Sequence, residues 1–225
     1  MRSLWTTIIA GYLRIVEPFI GLLVRSGVSP NTLTTIGTLC TCAAGVAFAT
    51  GRIMTGGWIL SVTAVFDLAD GAVARRTNRS TPFGAFYDST LDRVADGALF
   101  GGLTFFFASD PWHRSMSMVA VGLMGLVATF VISYTRARAE VMGIEMKGVG
   151  MIERPERITL FAAPQALFGL AFDGMLLRLV LSVLAATAIV TAMQRIAYVR
   201  WVTQGAAPVE APPAAAEPPS DPPSV

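Results

Sequence analysis

Four aspartates lie within 26 residues of this chain: Asp67, Asp70, Asp88 and Asp92. On a helix Asp67 and Asp70 stand at i, i+3 and Asp88 and Asp92 at i, i+4, so each pair shares a face. The segment between them is short and rich in turn formers and arginine (Arg75-Arg76-Thr77-Asn78-Arg79-Ser80-Thr81-Pro82). It predicts two antiparallel neighbouring helices with the carboxylates converging near one end. A charged side chain at the centre of a membrane helix costs about 2.5–3.5 kcal/mol on insertion scales, and four clustered anions repel one another. Two divalent cations would cancel four carboxylates, and hard oxygen ligands favour Mg²⁺, for which Mn²⁺ can substitute. A two-metal site with ions ~3.5–4 Å apart suits phosphoryl displacement. Spacing alone leaves two other readings open: helix-end charges paired with Arg75, Arg76 and Arg93, or a cation or proton pathway.

The surroundings of the aspartates are those of a membrane protein. The chain has 225 residues, 53% hydrophobic and 14% charged, with a mean hydropathy of +0.59. A soluble domain carries about a quarter charged residues. This composition excludes a disordered chain, a disulfide scaffold and a basic nucleic-acid-binding domain. At ~20 residues per span, it predicts an all-α polytopic protein with six transmembrane helices, near 31–50, 56–76, 84–107, 115–140, 155–172 and 175–200.

Residues 1–28 read as an N-terminal interfacial amphipathic helix. Apolar positions recur at helical spacing from Leu4 to Leu23, interrupted by Arg14 and Glu17. Ser29-Pro30-Asn31 then breaks the chain and starts the six-helix domain, 29–203. Residues 204–225 are Pro/Ala-rich and read as a disordered tail. Cys40 and Cys42 read as small packing residues, and His113, beside Trp112, as an interfacial residue. Of the 17 basic residues, 14 fall on one side of the six-span layout and only Arg52, Arg114 and Arg178 on the other. The positive-inside rule then predicts a multi-pass cell-membrane protein with its charged face, and the aspartates, on the cytoplasmic side.

Small residues flank the carboxylates. Gly71, Ala72 and Ala74 follow Asp70, and Gly84 precedes Asp88 by one turn. They admit close helix packing, or a flat ligand such as a nucleobase against the helix.

Read together, the segment Asp67-x2-Asp70-Gly71-x2-Ala74-Arg75-x8-Gly84-x3-Asp88-x3-Asp92 resembles the signature of the CDP-alcohol phosphatidyltransferase family, at eight fixed positions across 26 residues. The resemblance extends to the six-span layout and the N-terminal helix, and leaves out the tail. It implies transfer of a phosphatidyl group from CDP-diacylglycerol to an alcohol, with release of CMP. It implies Asp67, Asp70, Asp88 and Asp92 as ligands of two Mg²⁺ ions, with Asp92 also the general base. Near two cations that carboxylate has a lowered pKa, so it would act late, as the attacking oxygen loses its proton. The resemblance places Gly71 and Ala74 against the cytidine, Arg75 and Thr81 on the CDP moiety, and Ser29, Pro30, Asn31 and Thr32 beside the nucleotide. It also implies a homodimer among membrane lipids. Asp96 lies one turn beyond the signature and receives no role.

A second arginine set lies outside the signature: Arg136, Arg138, Arg154, Arg157 and Arg195. Several cations on the active-site side suit a phosphorylated acceptor, whereas neutral inositol or zwitterionic serine would not need them. Arg138 and Arg200 read as flanking charge. The segments Ser133–Glu140 and Ile152–Arg157 resemble the bacterial phosphatidylinositol phosphate synthases, whose acceptor is inositol 1-phosphate (1D-myo-inositol 3-phosphate). That resemblance implies acceptor-phosphate binding by Arg136, Arg154 and Arg195; the first is commonly Lys in that group, and Arg136 is bulkier and forked. Glycerol 3-phosphate, giving phosphatidylglycerophosphate, is the alternative acceptor. An aspartate-based cation transporter is the alternative of another class, and it predicts ion flux without CMP release.

Overall fold

The computed structural model describes residues 27–63, 81–152 and 154–204, together with Gly21 and Arg25. The interfacial helix expected over 1–28, the tail, and the signature positions Asp67, Asp70, Gly71, Ala74 and Arg75 lie essentially or wholly outside the described residues. Among those described, every regular element is an α-helix: α1 Pro30–Ala49, α2 Ile53–Thr63, α3 Pro82–Ser109, α4 Met116–Val141, α5 Arg154–Phe168 and α6 Met175–Thr203.

The helix starts follow from local chemistry. Ser29 caps α1 by accepting from the Thr32 N–H, with Pro30 entering the first turn. Thr81 caps α3 through the Gly84 N–H, with Pro82 behind it. Hydroxyl caps followed by proline fit the first turn, where the backbone N–H groups lack helical partners. One boundary differs from expectation. The fifth helix ends at Phe168, not near Phe172, because the backbone turns left-handed at Gly169 (φ 52°) and again at Phe172, Asp173 and Gly174 (φ 58°, 56° and 67°).

Among the described residues three helices, α1, α4 and α6, are long and apolar enough to cross a membrane. Long side chains such as Leu39, Val46, Val127 and Met193 lie well exposed on them, which suits lipid rather than water as their surroundings. At 28 residues α3 is longer than α1 or α4, but its stretch from Asp88 to Asp96 carries Asp88, Asp92, Arg93 and Asp96. The chain is an all-helical membrane protein among its described residues.

The contacts between helices fix their polarity. Thr35 meets Tyr87 and Gly45 meets Ala98 and Gly102, so α1 and α3 run parallel. Gly122 meets Thr104 and Gly125 meets Phe100, so α4 runs antiparallel to α3. Phe100 meets Phe161 and Asp96 meets Arg157, so α5 is parallel to α3. Gly125 meets Ala185 and Ile132 meets Arg195, so α6 is parallel to α4. The N-termini of α1, α3 and α5 and the C-termini of α4 and α6 therefore share one end of the bundle. Among the described residues, the polar segments singled out in the sequence (the Ser29–Thr32 turn, the start of α3 and the arginine-bearing ends of α4, α5 and α6) are gathered there.

The core below that end is apolar. Phe48, Phe100, Phe106, Phe107, Phe161, Leu103, Leu177, Leu181 and Leu184 are almost fully buried. The crossing of α1 and α3 is tight enough to require glycine. A Cβ on Gly102 would collide with the carbonyl oxygen of Gly45, the small-residue contact by which membrane helices approach closely.

The opposite end is closed by a histidine. His113 Nδ1 lies 2.9 Å from Asp110 Oδ1, which also accepts from the backbone N–H groups of Trp112 and His113 at 3.0 and 2.8 Å. His113 Nε2 stands 3.7 Å from Asp173 Oδ1 in the α5–α6 turn.

Candidate active site

The first turn of α1 and the first turn of α3 lie side by side. Gly84 is the joint: a Cβ there would stand 3.1 Å from Thr81 Oγ1 and 3.3 Å from Asn31 Oδ1. Asn31, and with it the Ser29–Thr32 turn, is thus brought beside Thr81 and Gly84. Two adjacent helix N-termini, each a positive dipole end, favour an anion between them.

One turn further along, a hydroxyl pair ties the two helices. Thr35 Oγ1 donates to the Asn31 carbonyl at 2.8 Å and lies 2.9 Å from the Tyr87 hydroxyl. A threonine has a single hydroxyl proton, and it is used on Asn31. The Tyr87 phenol is therefore the donor of the second bond. Phe83 stacks on Tyr87 at 5.7 Å and 21°, which holds the ring. Neither Tyr87 nor Thr35 was singled out from sequence.

The carboxylates follow on α3. Asp88 is exposed at the end of the bundle and Asp92, one turn deeper, is partly buried. Arg93 Nη2 reaches Asp92 Oδ2 at 3.4 Å. Asp88 and Asp92 offer hard oxygen donors on one helix face, the donor type and spacing that Mg²⁺ or Mn²⁺ accepts. Among the described residues no group of three or more candidate ligands is assembled; Asp67 and Asp70, the other two expected, lie outside that set.

Asp96 continues the same stripe and is almost fully buried. Arg157 Nη2 donates to its Oδ2 at 3.1 Å, and Arg157 Nη1 lies 3.4 Å from Thr129 Oγ1. This node joins α3, α4 and α5.

The arginines gather at the same end. Arg195 of α6 donates through Nε to the Val149 carbonyl at 3.0 Å and through Nη1 to the Ile132 carbonyl at 2.8 Å. It therefore pins the α4–α5 connection against both helices. Thr191, one turn earlier, holds the same connection by accepting from the Met151 N–H at 3.2 Å. Of the five N–H donors of a guanidinium, these bonds engage two. Arg136 and Arg157 are close enough to Arg195 to act on it as like charges, with Glu140 opposing them. Arg136 Nε itself bonds Glu140 Oε1 at 2.9 Å on an exposed surface. Arg154 begins α5, one turn before Arg157. The convergence thus includes Arg157, which the sequence reading named in the arginine set but gave no site role. Its spacing of three from Arg154, beside the spacing of four from Asp92 to Asp96, was the available signal.

A family model described as CDP-alcohol phosphatidyltransferase matches residues 27–203. The chain belongs to this family. It is 39% identical over 197 residues to a phosphatidylinositol phosphate synthase of Streptomyces avermitilis, covering 85% of this chain and 80% of the relative. Its fold is similar to a crystal structure of the Mycobacterium tuberculosis phosphatidylinositol phosphate synthase with CDP-DAG bound. That match has a TM-score of 0.72 and 35% identity, over 82% of this chain and 92% of the other. A second structure of the M. tuberculosis protein, in complex with manganese and citrate, matches with a TM-score of 0.73 and 34% identity, over 82% and 88% of the two chains.

The chain is thus a CDP-alcohol phosphatidyltransferase whose described signature positions, Gly84, Asp88 and Asp92, lie on the first three turns of α3, behind the Thr81 cap. In this phosphatidyltransferase the acidic face of α3 and the arginines of α4, α5 and α6 open on the same end of the bundle.

Proposed function

We propose that this phosphatidyltransferase joins CDP-diacylglycerol to inositol 1-phosphate, forming phosphatidylinositol phosphate and releasing CMP. The observation that carries the reading is the shared end of the bundle. A two-helix N-terminal surface suited to a pyrophosphate sits beside Asp88 and Asp92, and an arginine cluster suited to a second phosphate sits across from them. The similarity to phosphatidylinositol phosphate synthases over four-fifths of the chain supports the same acceptor.

In this reading Ser29, Pro30, Asn31, Thr32, Gly71, Ala74, Arg75 and Thr81 hold the CDP-lipid. Arg136, Arg154 and Arg195 hold the acceptor phosphate and aim its hydroxyl. Asp92 takes the hydroxyl proton as the new oxygen–phosphorus bond forms at the lipid-bearing phosphate. The bond from that phosphorus to the bridging oxygen breaks, and CMP leaves with the electron pair. Two Mg²⁺ ions held by Asp67, Asp70, Asp88 and Asp92, when bound, would offset the pyrophosphate charge and stabilise the departing CMP. The manganese complex of a similar protein favours this assignment. Holding both substrates by their phosphates converts the encounter into an oriented one, a large share of such a barrier.

The same reading places six spans in the cell membrane, the second near 56–76, with the site on the cytoplasmic side. Residues 1–28 form an interfacial helix, 29–203 the catalytic domain and 204–225 a disordered tail, and the protein acts as a homodimer.

Purified protein given CDP-diacylglycerol and Mg²⁺ is to be challenged separately with inositol 1-phosphate, glycerol 3-phosphate, serine and inositol. The expected product is phosphatidylinositol phosphate, with CMP released in equal amount. Turnover with glycerol 3-phosphate alone would reassign the acceptor, and turnover with neither phosphate would reject the reading.

A further inference from the structure

Below Asp92 the sequence places a third acidic residue on the same face of α3, and the structure gives it a cation. Asp96 and Arg157 meet at 3.1 Å with only 3% and 12% of their side chains exposed. One turn deeper on both helices, Phe100 and Phe161 meet edge to face at 5.3 Å and 89°. The aromatic layer already supplies adhesion between α3 and α5. An apolar pair in place of the ions would hold the helices as well or better, because both charges lose their hydration on burial. What an ion pair adds is direction: a hydrogen-bonded carboxylate and guanidinium in a low-dielectric interior tolerate little sliding, whereas apolar surfaces slide. Its best-attested use is to fix register.

We propose that the Asp96–Arg157 pair is a strut that sets the register of α5 against α3, and so the separation of Arg154 from Asp92. Asp96 lies one turn from Asp92, and Arg157 one turn from Arg154, so displacement of either partner is passed directly to the residue above it. Thr129 braces the guanidinium from α4. Both are positioning residues. The inference rests on the proposed roles of Asp92 as base and Arg154 as acceptor-phosphate ligand.

The test measures kcat, the KM for each substrate and the melting temperature in detergent for three variants. Asp96→Asn is expected to raise the acceptor KM at least tenfold and lower kcat, with the CDP-lipid KM within about twofold. A misplacement of an ångström can cost about a hundredfold in rate. The double variant Asp96→Leu with Arg157→Met is expected to regain the wild-type melting temperature and keep the acceptor defect. Arg157→Lys preserves the buried charge, and with it the fold, but its ammonium cannot fork between Asp96 and Thr129. It is expected to raise the acceptor KM about fivefold or more. A double variant with both melting temperature and acceptor KM restored would overturn the strut, as would an Asp96→Asn or Arg157→Lys protein in which both KM values move alike or neither moves. The functional reading fails at an earlier point, in a wild-type protein that turns over neither inositol 1-phosphate nor glycerol 3-phosphate. If only glycerol 3-phosphate is used, the strut is read on that acceptor.

Discussion

The Tyr87 hydroxyl donates to Thr35 Oγ1 across 2.9 Å, and Thr35 donates its own hydroxyl hydrogen bond to the Asn31 carbonyl. Through this two-bond chain the residue next to Asp88 is tied to the segment expected to border the nucleotide. A neutral hydrogen bond contributes about 0.5–1.5 kcal/mol. Tyr87→Phe removes the proton and keeps the ring. Its kcat/KM for the CDP-lipid should fall roughly three- to tenfold on that energy, with the acceptor KM nearly unchanged. A larger change for the acceptor would place the chain in a different part of the site.

Arg195→Gln should raise the acceptor KM by about tenfold or more, on the energy of a charge-assisted bond, and leave the CDP-lipid KM close to wild type. The same substitution frees Val149 from α6, so limited proteolysis should cut faster between Gly143 and Ile152. Equal rises in both KM values would remove Arg195 from the acceptor site.

Gly102→Val adds a branched side chain where Gly45 leaves no room. Overpacking of this kind costs about 1–3 kcal/mol. Thermal unfolding in detergent should report the loss, and Gly101→Ala, with nothing within 4 Å of its added Cβ, should unfold near wild type. A Gly102→Val protein as stable as wild type would contradict the tight crossing.

Burial raises the Asp110 carboxyl, but the hydrogen bonds from the His113 side chain and from the His113 and Trp112 backbone, with the His113 charge, outweigh it and hold it below its ordinary value. A depressed acid stabilises the fold above its unfolded pKa of about 3.9 and loses that stabilisation as pH falls through the folded value. Asp110→Asn should therefore be less stable than wild type at pH 7, and the gap should close below about pH 4. A gap that widens on acidification would contradict the assignment.

How much of this could be read from residues alone differs by element. Helices α1, α3, α4 and α6 fall within a few residues of the expected spans; Ser29-Pro30, Thr81-Pro82 and Ser115 mark the starts of the first three in the local sequence, and the long apolar run marks α6. The end of α5 does not, because a left-handed run through Phe172 and Asp173 depends on tertiary packing that propensity does not encode. Asp88 and Asp92 were legible from spacing, and the adjacency of the Ser29–Thr32 segment from resemblance. Asp96 with Arg157 and Tyr87 with Thr35 were not, since each pair joins residues more than 50 positions apart in the chain.

The account stands on the carboxylates of α3 serving divalent-cation chemistry on a CDP-linked lipid. Its most direct test is CMP release by the purified protein on CDP-diacylglycerol and inositol 1-phosphate, followed as Mg²⁺ is chelated and then restored. The account predicts release that stops on chelation, returns in saturable fashion with Mg²⁺ or Mn²⁺, and does not return in Asp92→Asn despite retained CDP-lipid binding. CMP release that continues without divalent cation, or undiminished in Asp92→Asn, would contradict it.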